Sequence, residues 1–244
     1  MCAVILAAGK GTRIKAPSDK NKVVFDLAGK PMVAYTVEML KNAGLNEIVV
    51  VVGHASDSVK KALGNKVTYV TQQVPMGTGD AVKVAMEKVP TDCKQVISMY
   101  GDDSAFYTKD LLVKMVAYHE HNKAAVTLVT IKKNDPTGLG RIVRNSRDEV
   151  TEIVEEKVAS DSQKKIKEIN TGLYCFDRDF LARGIEKIKK NPVSKEYYLT
   201  DIVAVANSMG QKVVAMLWED EAIWYGVNTR EQWRMADRAM RVTR

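Results

Sequence analysis

Two runs of apolar residues in the first half of the chain limit what this sequence can fold into. Residues 49–52 are four consecutive valines, and residues 96–99 read Val-Ile-Ser-Met, so both faces of an extended segment would be largely apolar. Such strands are typical of parallel sheets that helices cover on both faces. We therefore predict that the two runs are central strands of a parallel sheet.

Short apolar runs alternate with amphipathic segments through this first half. The predicted strands are residues 3–8, 47–52, 67–70 and 95–99. The predicted helices are residues 32–43, 56–63, 79–88 and 109–122. This alternation favours a right-handed, doubly wound α/β sheet, because helices join neighbouring parallel strands as crossovers.

Strand-like runs dominate after about residue 125. Strands are predicted at residues 125–131, 140–144, 149–155, 168–176 and 212–218, and helices at residues 179–190, 199–209 and 229–242. No linker, internal repeat or low-complexity segment interrupts the chain. We predict one continuous domain over residues 1–244, with a first half over about 1–124, a second half over about 125–228 and a C-terminal helix over 229–244.

Charge and hydropathy argue against two classes of partner. The chain has 37 Lys and Arg against 30 Asp and Glu, a formal net charge of +7. The cations lie in short runs without interleaved aromatic residues, which disfavours nucleic-acid binding, although a moderate excess suits phosphorylated ligands. No apolar run reaches transmembrane length and no secretory signal pattern is present. We expect a cytoplasmic protein without nucleic-acid or membrane partners.

The few cysteines and histidines do not suggest a metal site. Cys2, Cys93 and Cys175 lie far apart, in or beside apolar segments, so we predict buried free thiols in a reducing compartment. His119 and His121 project from different sides of a predicted helix, which favours solvated surface positions over metal ligands.

A glycine turn follows the first predicted strand directly. Gly9 and Gly11 let backbone N–H groups approach an anion closely, and Lys10 and Arg13 add positive charge beside them. Ile14 stands where the Rossmann motif needs a third glycine, and the Walker A motif is also absent. The turn therefore predicts polyphosphate binding at the carboxyl end of a first strand, outside these two motifs.

Residues 6–13, followed by Lys22, resemble the signature of the sugar-nucleotidyltransferases, which join a nucleoside triphosphate to a sugar 1-phosphate. The resemblance implies a Rossmann-like, doubly wound mixed sheet of the GT-A type, with a nucleotide-binding first half and a sugar-binding second half. It implies phosphoryl contacts from Arg13 and Lys22 as catalytic residues. The nucleotide-binding residues implied in this segment are Leu6, Ala8, Gly9, Gly11 and Thr12.

Gln72 lies at the end of a predicted strand, before a Gly-Thr-Gly turn. A primary amide can donate to a base carbonyl and accept from a ring imide N–H, the pair of groups that uracil and thymine offer. The resemblance assigns Gln72, Gly77 and Thr78 to nucleotide binding. Pro75 stands where the family often has a polar residue, which predicts fewer contacts to the base.

The segment Tyr100-Gly101-Asp102-Asp103 follows the central strand at residues 95–99. A carboxylate there faces the ligand crevice of an α/β sheet, and Mg²⁺ takes one or two carboxylates plus substrate phosphates. The resemblance implies that Asp102 and Asn228 bind Mg²⁺. Asp103 departs from the family pattern, either as a group that supports the ligand or as a helix N-cap. Glycosyltransferases of the same fold also use acidic residues here, so this segment does not identify the reaction.

Segments in the second half match the bacterial N-acetylglucosamine-1-phosphate uridyltransferases in order. The resemblance implies sugar contacts from Tyr100, Gly101, Gly140, Glu155, Asn170, Glu196 and Tyr197. It implies Mg²⁺-dependent transfer of UMP from UTP to N-acetylglucosamine 1-phosphate, with release of pyrophosphate. Alternatives are UTP or dTTP acting with glucose 1-phosphate or another sugar phosphate, and a non-catalytic binding or regulatory subunit.

Two further features depart from the family. Asn21 precedes Lys22 where proline is usual, which predicts a more mobile loop before the lysine. The hexapeptide repeats that form the left-handed β-helix of bifunctional members do not occur in these residues. We therefore expect no β-helix domain and no acetyl transfer.

Overall fold

Both apolar runs form central strands, one on each side of the first strand of the chain. The computed structural model describes residues 1–243. Its strands are β1 Cys2–Ala7, β2 Asp26–Leu27, β3 Lys30–Pro31, β4 Ile48–Val52, β5 Thr68–Thr71, β6 Gln95–Tyr100, β7 Val126–Lys132, β8 Arg141–Arg144, β9 Val150–Val154, β10 Glu168–Asp177 and β11 Val213–Leu217. Its α-helices are α1 Met32–Asn42, α2 Ser56–Leu63, α3 Thr78–Met86, α4 Lys109–Asn122, α5 Asp161–Lys164, α6 Arg178–Gly184, α7 Ile202–Ser208 and α8 Arg230–Val242.

The main sheet is mixed, in the order β11-β7-β10-β6-β1-β4-β5. Strands β6, β1, β4 and β5 are parallel, and Val4 of β1 pairs with Val49 on one side and Ser98 on the other. Strand β10 runs antiparallel between β6 and β7, and β8 and β9 extend from it as an antiparallel branch. The predicted α/β fold with a mixed, doubly wound sheet is confirmed.

Strand β1 shows why the central strands carry no polar face. Val4 and Leu6 belong to one hydrophobic cluster, and Ala3 and Ile5 belong to a second cluster on the opposite face of the sheet. Because successive strand residues point to opposite faces, a strand in this position must be apolar throughout. Burial of each larger aliphatic side chain here stabilises the fold by about 1.5–3 kcal/mol.

Two predicted helices differ from the structure, and the other predicted elements agree with it to within two residues. The helix predicted at residues 179–190 ends as α6 at Gly184 and continues only as the 3-10 turn Ile185–Lys187. The helix predicted at residues 199–209 begins with the 3-10 turn Leu199–Asp201 before α7. In the first case the backbone becomes extended at Ile188, with a φ of −63° and a ψ of 126°, so the helix cannot reach residue 190. The short elements β2, β3 and α5 escaped prediction.

The prediction of three free thiols is wrong for one pair. Cys2 and Cys93 form a disulfide with their Cα atoms 6.1 Å apart, and only Cys175 is free and buried. Cys2 pairs opposite Val96 in the β1–β6 ladder, which brings the turn before β6 beside it. The argument for a reducing compartment therefore no longer rests on these two residues.

The prediction of a solvated His119 is also wrong, whereas His121 is exposed as predicted. His119 is buried on α4, and its Nδ1 lies 2.8 Å from the Thr127 Oγ1 on β7. Burial lowers the pKa of the His119 imidazole. Within residues 1–243, no helix combines the length and apolar character needed to cross a membrane.

Candidate active site

The carboxyl ends of β1 and β6 meet at one edge of the sheet and carry two of the predicted segments. The Gly101 N–H donates to the Leu6 carbonyl at 3.0 Å, which places the Asp102 turn beside the glycine turn. Gly11 has a φ of +62°, and a Cβ there would lie 3.2 Å from Lys22 Cβ. The glycine turn therefore packs directly against the segment that carries Lys22, while Gly9, Thr12 and Arg13 are exposed.

Four predicted residues from distant parts of the chain converge beside this turn. The Lys22 ammonium forms an ion pair with the Asp102 carboxylate and donates to Asn228 Oδ1 at 3.2 Å. Arg13 Nη2 donates to the same Asn228 oxygen at 2.7 Å. The Val227 N–H donates to the Asp102 carbonyl at 3.1 Å, which anchors the Asn228 segment to the Asp102 turn. The side chains of Lys22 and Asp102 are only 17% and 14% exposed, so their charges interact with limited solvent screening.

The donor set at this cluster fits a magnesium ion. Asp102 and Asn228 each direct an oxygen at one cation, the Lys22 ammonium, so their oxygens already converge on a common point. Carboxylate and amide oxygens are hard ligands of the kind that Mg²⁺ prefers. In residues 1–243 no three side chains of the His, Cys, Asp and Glu types form a metal-binding group. A metal here would depend on these two residues together with oxygens from substrate and water.

Asp103 follows Asp102 as a buried carboxyl group and does not cap a helix. The side chain is buried, and α4 is capped instead by Thr108, whose hydroxyl accepts from the Leu111 N–H at 3.2 Å. Burial raises the pKa of the Asp103 carboxyl well above its usual range, and repulsion from Asp102 adds to the shift. The N-cap interpretation of Asp103 is therefore wrong.

The Gln72 side chain is fixed by two acceptors. Its Nε2 donates to the Gly77 carbonyl at 3.1 Å and to Asp80 Oδ2 at 2.6 Å. Since both partners can only accept, the NH₂ group must face them, and Oε1 is the atom left to meet a ligand. This differs from the sequence expectation of an amide that both donates to the base and accepts from it.

The turn after Gln72 packs against the segment that contains Glu196 and Tyr197. The Tyr197 N–H donates to the Met76 carbonyl at 2.7 Å, and the Gly79 N–H donates to the Tyr197 carbonyl at 2.8 Å. The Thr78 hydroxyl accepts from the Leu199 N–H at 2.9 Å. The predicted base-binding and sugar-binding segments are thus joined by backbone hydrogen bonds.

We expect Gly77→Ala to destabilise the protein by more than about 3 kcal/mol, because two penalties add. Gly77 has a φ of +103°, and a Cβ there would overlap the Tyr197 carbonyl oxygen. Gly44→Ala is the matched control, since Gly44 has a φ of +86° and open space around its Cβ position. Thermal unfolding should show a much larger loss for Gly77→Ala than for Gly44→Ala. Equal losses would mean that the contact with Tyr197 contributes nothing.

Three predicted sugar-binding residues lie together on the antiparallel side of the sheet. A Cβ on Gly140 would lie 3.6 Å from Glu155 Oε1 and 3.7 Å from Asn170 Cβ, and the Asn170 N–H donates to the Gly140 carbonyl at 2.9 Å. Thr200 donates to Glu155 Oε1 at 3.4 Å. Burial raises the pKa of the Glu155 carboxyl. A Cβ on Gly140 would also lie 3.1 Å from Ile153 Cγ2, so glycine permits close packing here beside the polar side chains of Glu155 and Asn170.

Tyr100 lies near both Glu155 and Asp102, between the predicted sugar-binding residues and the Asp102 cluster. Gly172 has a φ of +78°, and a Cβ there would overlap the Tyr100 ring, so only glycine lets the ring lie against the β10 backbone. The Asn170 Oδ1 accepts from the Gly172 N–H at 3.1 Å, and its Nδ2 donates to the Tyr174 hydroxyl at 2.7 Å. Asn170 is therefore held in one orientation. Burial raises the pKa of the Tyr100 hydroxyl, which keeps it a neutral donor.

Two features of the site were missed by sequence reasoning. Arg141, only 1% exposed, pairs with Glu156 at 2.5 Å next to Gly140. Asn21 is fully buried, and its backbone and side chain have five hydrogen-bond contacts, which anchor the end of the loop before Lys22. The greater mobility of that loop stays a prediction. Neither pattern has a local signature, because the partners come from elsewhere in the fold.

These features define an α/β protein with cationic side chains and oxygen acceptors gathered at the carboxyl edge of its sheet, where α/β proteins commonly bind ligands. The chain belongs to the nucleotidyl transferase family, whose profile matches residues 2–237. The family assignment agrees with the resemblance that the glycine turn and Lys22 predicted.

Individual relatives refine the comparison. The chain is 43% identical to the bifunctional protein GlmU of Caldanaerobacter subterraneus over 241 residues, which cover 99% of this chain and 52% of the relative. It is 41% identical to GlmU of Heliobacterium modesticaldum, over 94% of this chain and 50% of the relative. The chain thus spans about half the length of the curated relatives it matches.

A solved structure shows the same fold at low sequence identity. A Bacillus anthracis protein assigned as a glucose-1-phosphate thymidylyltransferase, in complex with sucrose, superposes with a TM-score of 0.82 at 20% identity. The match covers 98% of this chain and 95% of that one.

Proposed function

We propose that this protein is a Mg²⁺-dependent uridylyltransferase that joins UTP and N-acetylglucosamine 1-phosphate to form UDP-N-acetylglucosamine and pyrophosphate. One observation carries the proposal: Arg13, Lys22, Asp102 and Asn228 converge beside the glycine turn. This arrangement offers charge neutralisation to a polyphosphate and oxygens to a divalent cation. The similarity to GlmU supports the choice of nucleotide and sugar.

In this reaction an oxygen of the sugar phosphate attacks the α-phosphorus of UTP in line. The new O–P bond forms as the bond between the α-phosphorus and the bridging oxygen breaks, and pyrophosphate leaves. The attacking phosphate is already ionised, so the chain needs no nucleophile or general base. Catalysis then consists of positioning and charge stabilisation, and in this proposal Arg13 and Lys22, which meet at Asn228, neutralise phosphoryl oxygens.

Asp102 and Asn228 are the residues that would hold the metal. Bound Mg²⁺ supplies neutralisation of the phosphoryl charge shared by the two substrates. The Lys22 ammonium now contacts the oxygens of both residues and would turn towards the phosphates instead.

Residues 1–124 bind the nucleotide and residues 125–228 the sugar in this proposal. Gln72 Oε1 accepts the imide N–H of the base, because Nε2 is committed to Gly77 and Asp80. Thymine offers the same imide, so dTTP is the main rival nucleotide. The neighbouring residues Gly140, Glu155 and Asn170 contact the acetamido group in this proposal, and glucose 1-phosphate or another sugar phosphate is the main rival acceptor.

A substrate panel tests the proposal. Pyrophosphate release is measured for UTP and dTTP, each with N-acetylglucosamine 1-phosphate and glucose 1-phosphate, in the presence of Mg²⁺. UTP with the N-acetylated sugar should give the highest kcat/KM, about tenfold to a hundredfold above glucose 1-phosphate. The reason is that a bare hexose leaves buried polar groups unpaired, at about 1–3 kcal/mol each.

Each other outcome has a defined meaning. Equal kcat/KM values, or a preference for glucose 1-phosphate, would remove the amino-sugar assignment and leave a nucleotidyltransferase. Release of pyrophosphate from dTTP in preference to UTP would reassign the nucleotide. Binding of nucleotide and sugar phosphate without pyrophosphate from any pair would identify the non-catalytic subunit.

A further inference from the structure

We propose that Asn21 is a positioning residue for phosphoryl transfer. Its side-chain amide fixes the position of Lys22 relative to the glycine turn. This inference rests on the proposed function for its catalytic part. Asn21 does not face the cleft, since the side chain is 0% exposed. It acts through the groups on either side of it.

The amide nitrogen connects two backbone segments, the end of β1 with its glycine turn and the loop at His54. The two N–H bonds of Asn21 Nδ2 are shared among three carbonyls, those of Ala7 at 2.9 Å, His54 at 2.9 Å and Gly9 at 3.1 Å. Ala7 ends β1, Gly9 lies in the glycine turn and His54 lies in the loop that precedes α2. One NH₂ group thus joins the phosphate-binding turn to the neighbouring loop of the sheet edge.

The other polar atoms of Asn21 fix the segment that carries the lysine. Oδ1 accepts from the Val23 N–H at 3.2 Å and caps the 3-10 turn Lys22–Val24. The Asn21 N–H donates to Ser58 Oγ at 3.0 Å, and this hydroxyl donates to the Ala55 carbonyl at 2.7 Å. Lys22 follows immediately and contacts Asp102, so the position of its ammonium depends on this turn.

The glycine turn has little other support at Gly9. A Cβ built on Gly9 would meet no atom within 4 Å, and the residue is exposed. The Asn21 contact therefore restrains the turn at an exposed residue, in addition to the hydrogen bond from the His54 N–H to the Ala8 carbonyl at 3.2 Å. Groups that stabilise a transition state must be held in place before the reaction, because their reorganisation raises the barrier.

Proline could adopt the backbone of Asn21 but could not reproduce its contacts. The φ of −76° suits a proline ring, yet proline has no N–H for Ser58 and no amide for Gly9. In this chain, hydrogen bonds therefore provide the restraint that a proline ring would provide through backbone stiffness.

Asn21→Asp is the decisive variant, because it keeps the size of the side chain and replaces the donor with oxygen facing three carbonyls. Asn122→Asp is the matched control, since its exposed Nδ2 donates only to the Tyr118 carbonyl at 2.9 Å. For each variant we would measure kcat and KM, thermal unfolding, and amide hydrogen exchange of residues 8–13 without substrate. In Asn21→Asp we expect kcat to fall about tenfold to a hundredfold and exchange in residues 8–13 to accelerate. Asn122→Asp should change neither.

The outcomes separate this inference from the proposed function. A lower melting temperature in Asn21→Asp, with unchanged kcat per folded molecule and unchanged exchange in residues 8–13, would overturn the positioning role. Should the unaltered chain release no pyrophosphate while Asn21→Asp still accelerates exchange, the proposed function falls and only the restraint on the turn stands. If Asn21→Asp does not fold, the same measurements are made on Asn21→Ala and Ser58→Ala. The smaller fall in kcat is expected for Ser58→Ala.

Discussion

Asp102→Asn should lower pyrophosphate release by at least about a hundredfold at saturating substrate, equivalent to about 3 kcal/mol of transition-state stabilisation. The substitution keeps the shape of the side chain but removes the charge that binds a divalent cation and pairs with Lys22. Because the Asp102 carbonyl still accepts from Val227, the turn should keep its position. Steady-state kinetics over a range of Mg²⁺ concentrations measure the effect.

Asp110→Asn is the control for Asp102→Asn. Asp110 pairs with Lys114 at 2.8 Å on α4, and its side chain is 61% exposed, so loss of its charge should leave the rate unchanged. The Asp102→Asn protein should unfold at a temperature close to that of the unaltered chain. Turnover at the original rate with limiting Mg²⁺ would exclude Asp102 as the metal ligand.

Lys22→Ala should lower kcat by about a hundredfold to a thousandfold, the usual cost of removing one group that stabilises transition-state charge. KM for UTP should rise by a smaller factor, because the lysine serves the transition state more than the ground state. The structure adds a second reason, since Lys22 contacts both Asp102 and Asn228 and its loss leaves the carboxylate without its partner. Initial rates at varied UTP concentration separate the two constants.

Lys114→Ala provides the matched comparison for Lys22→Ala. Lys114 also forms an ion pair with an aspartate, but its side chain is 59% exposed and lies on α4. It should leave kcat and KM unchanged. A rise in KM without a fall in kcat for Lys22→Ala would reassign the lysine to ground-state binding of phosphate.

The secondary structure could be predicted because its causes are local. Strands β1 and β4 can be recognised because all of their own residues are apolar. The start of α4 at Lys109 can be recognised from the polar cap Thr108 and the amphipathic repeat that follows it. The helix predicted at residues 179–190 is too long, because its hydrophobic pattern does not show that the backbone becomes extended at Ile188.

Much of the candidate site was also predictable, as a set of segments. The glycine turn, Gln72 and Asp102 each follow a predicted strand. The carboxyl ends of parallel strands lie at the same edge of the sheet. Sequence reasoning could therefore place these groups together without coordinates. It could not predict that Asn228 meets Arg13 and Lys22 as the acceptor for both.

The sequence by itself determined the strand pattern, the chemistry of the glycine turn and the presence of each charged group. Only the tertiary structure decided which of these groups meet. It buried Asn21 among carbonyls from the glycine turn and the His54 loop, joined Cys2 to Cys93 and enclosed His119 against Thr127. The physical reason is that hydrophobic periodicity and backbone preference act over a few neighbouring residues, whereas the partners of a buried polar group are set by the order of strands in the sheet.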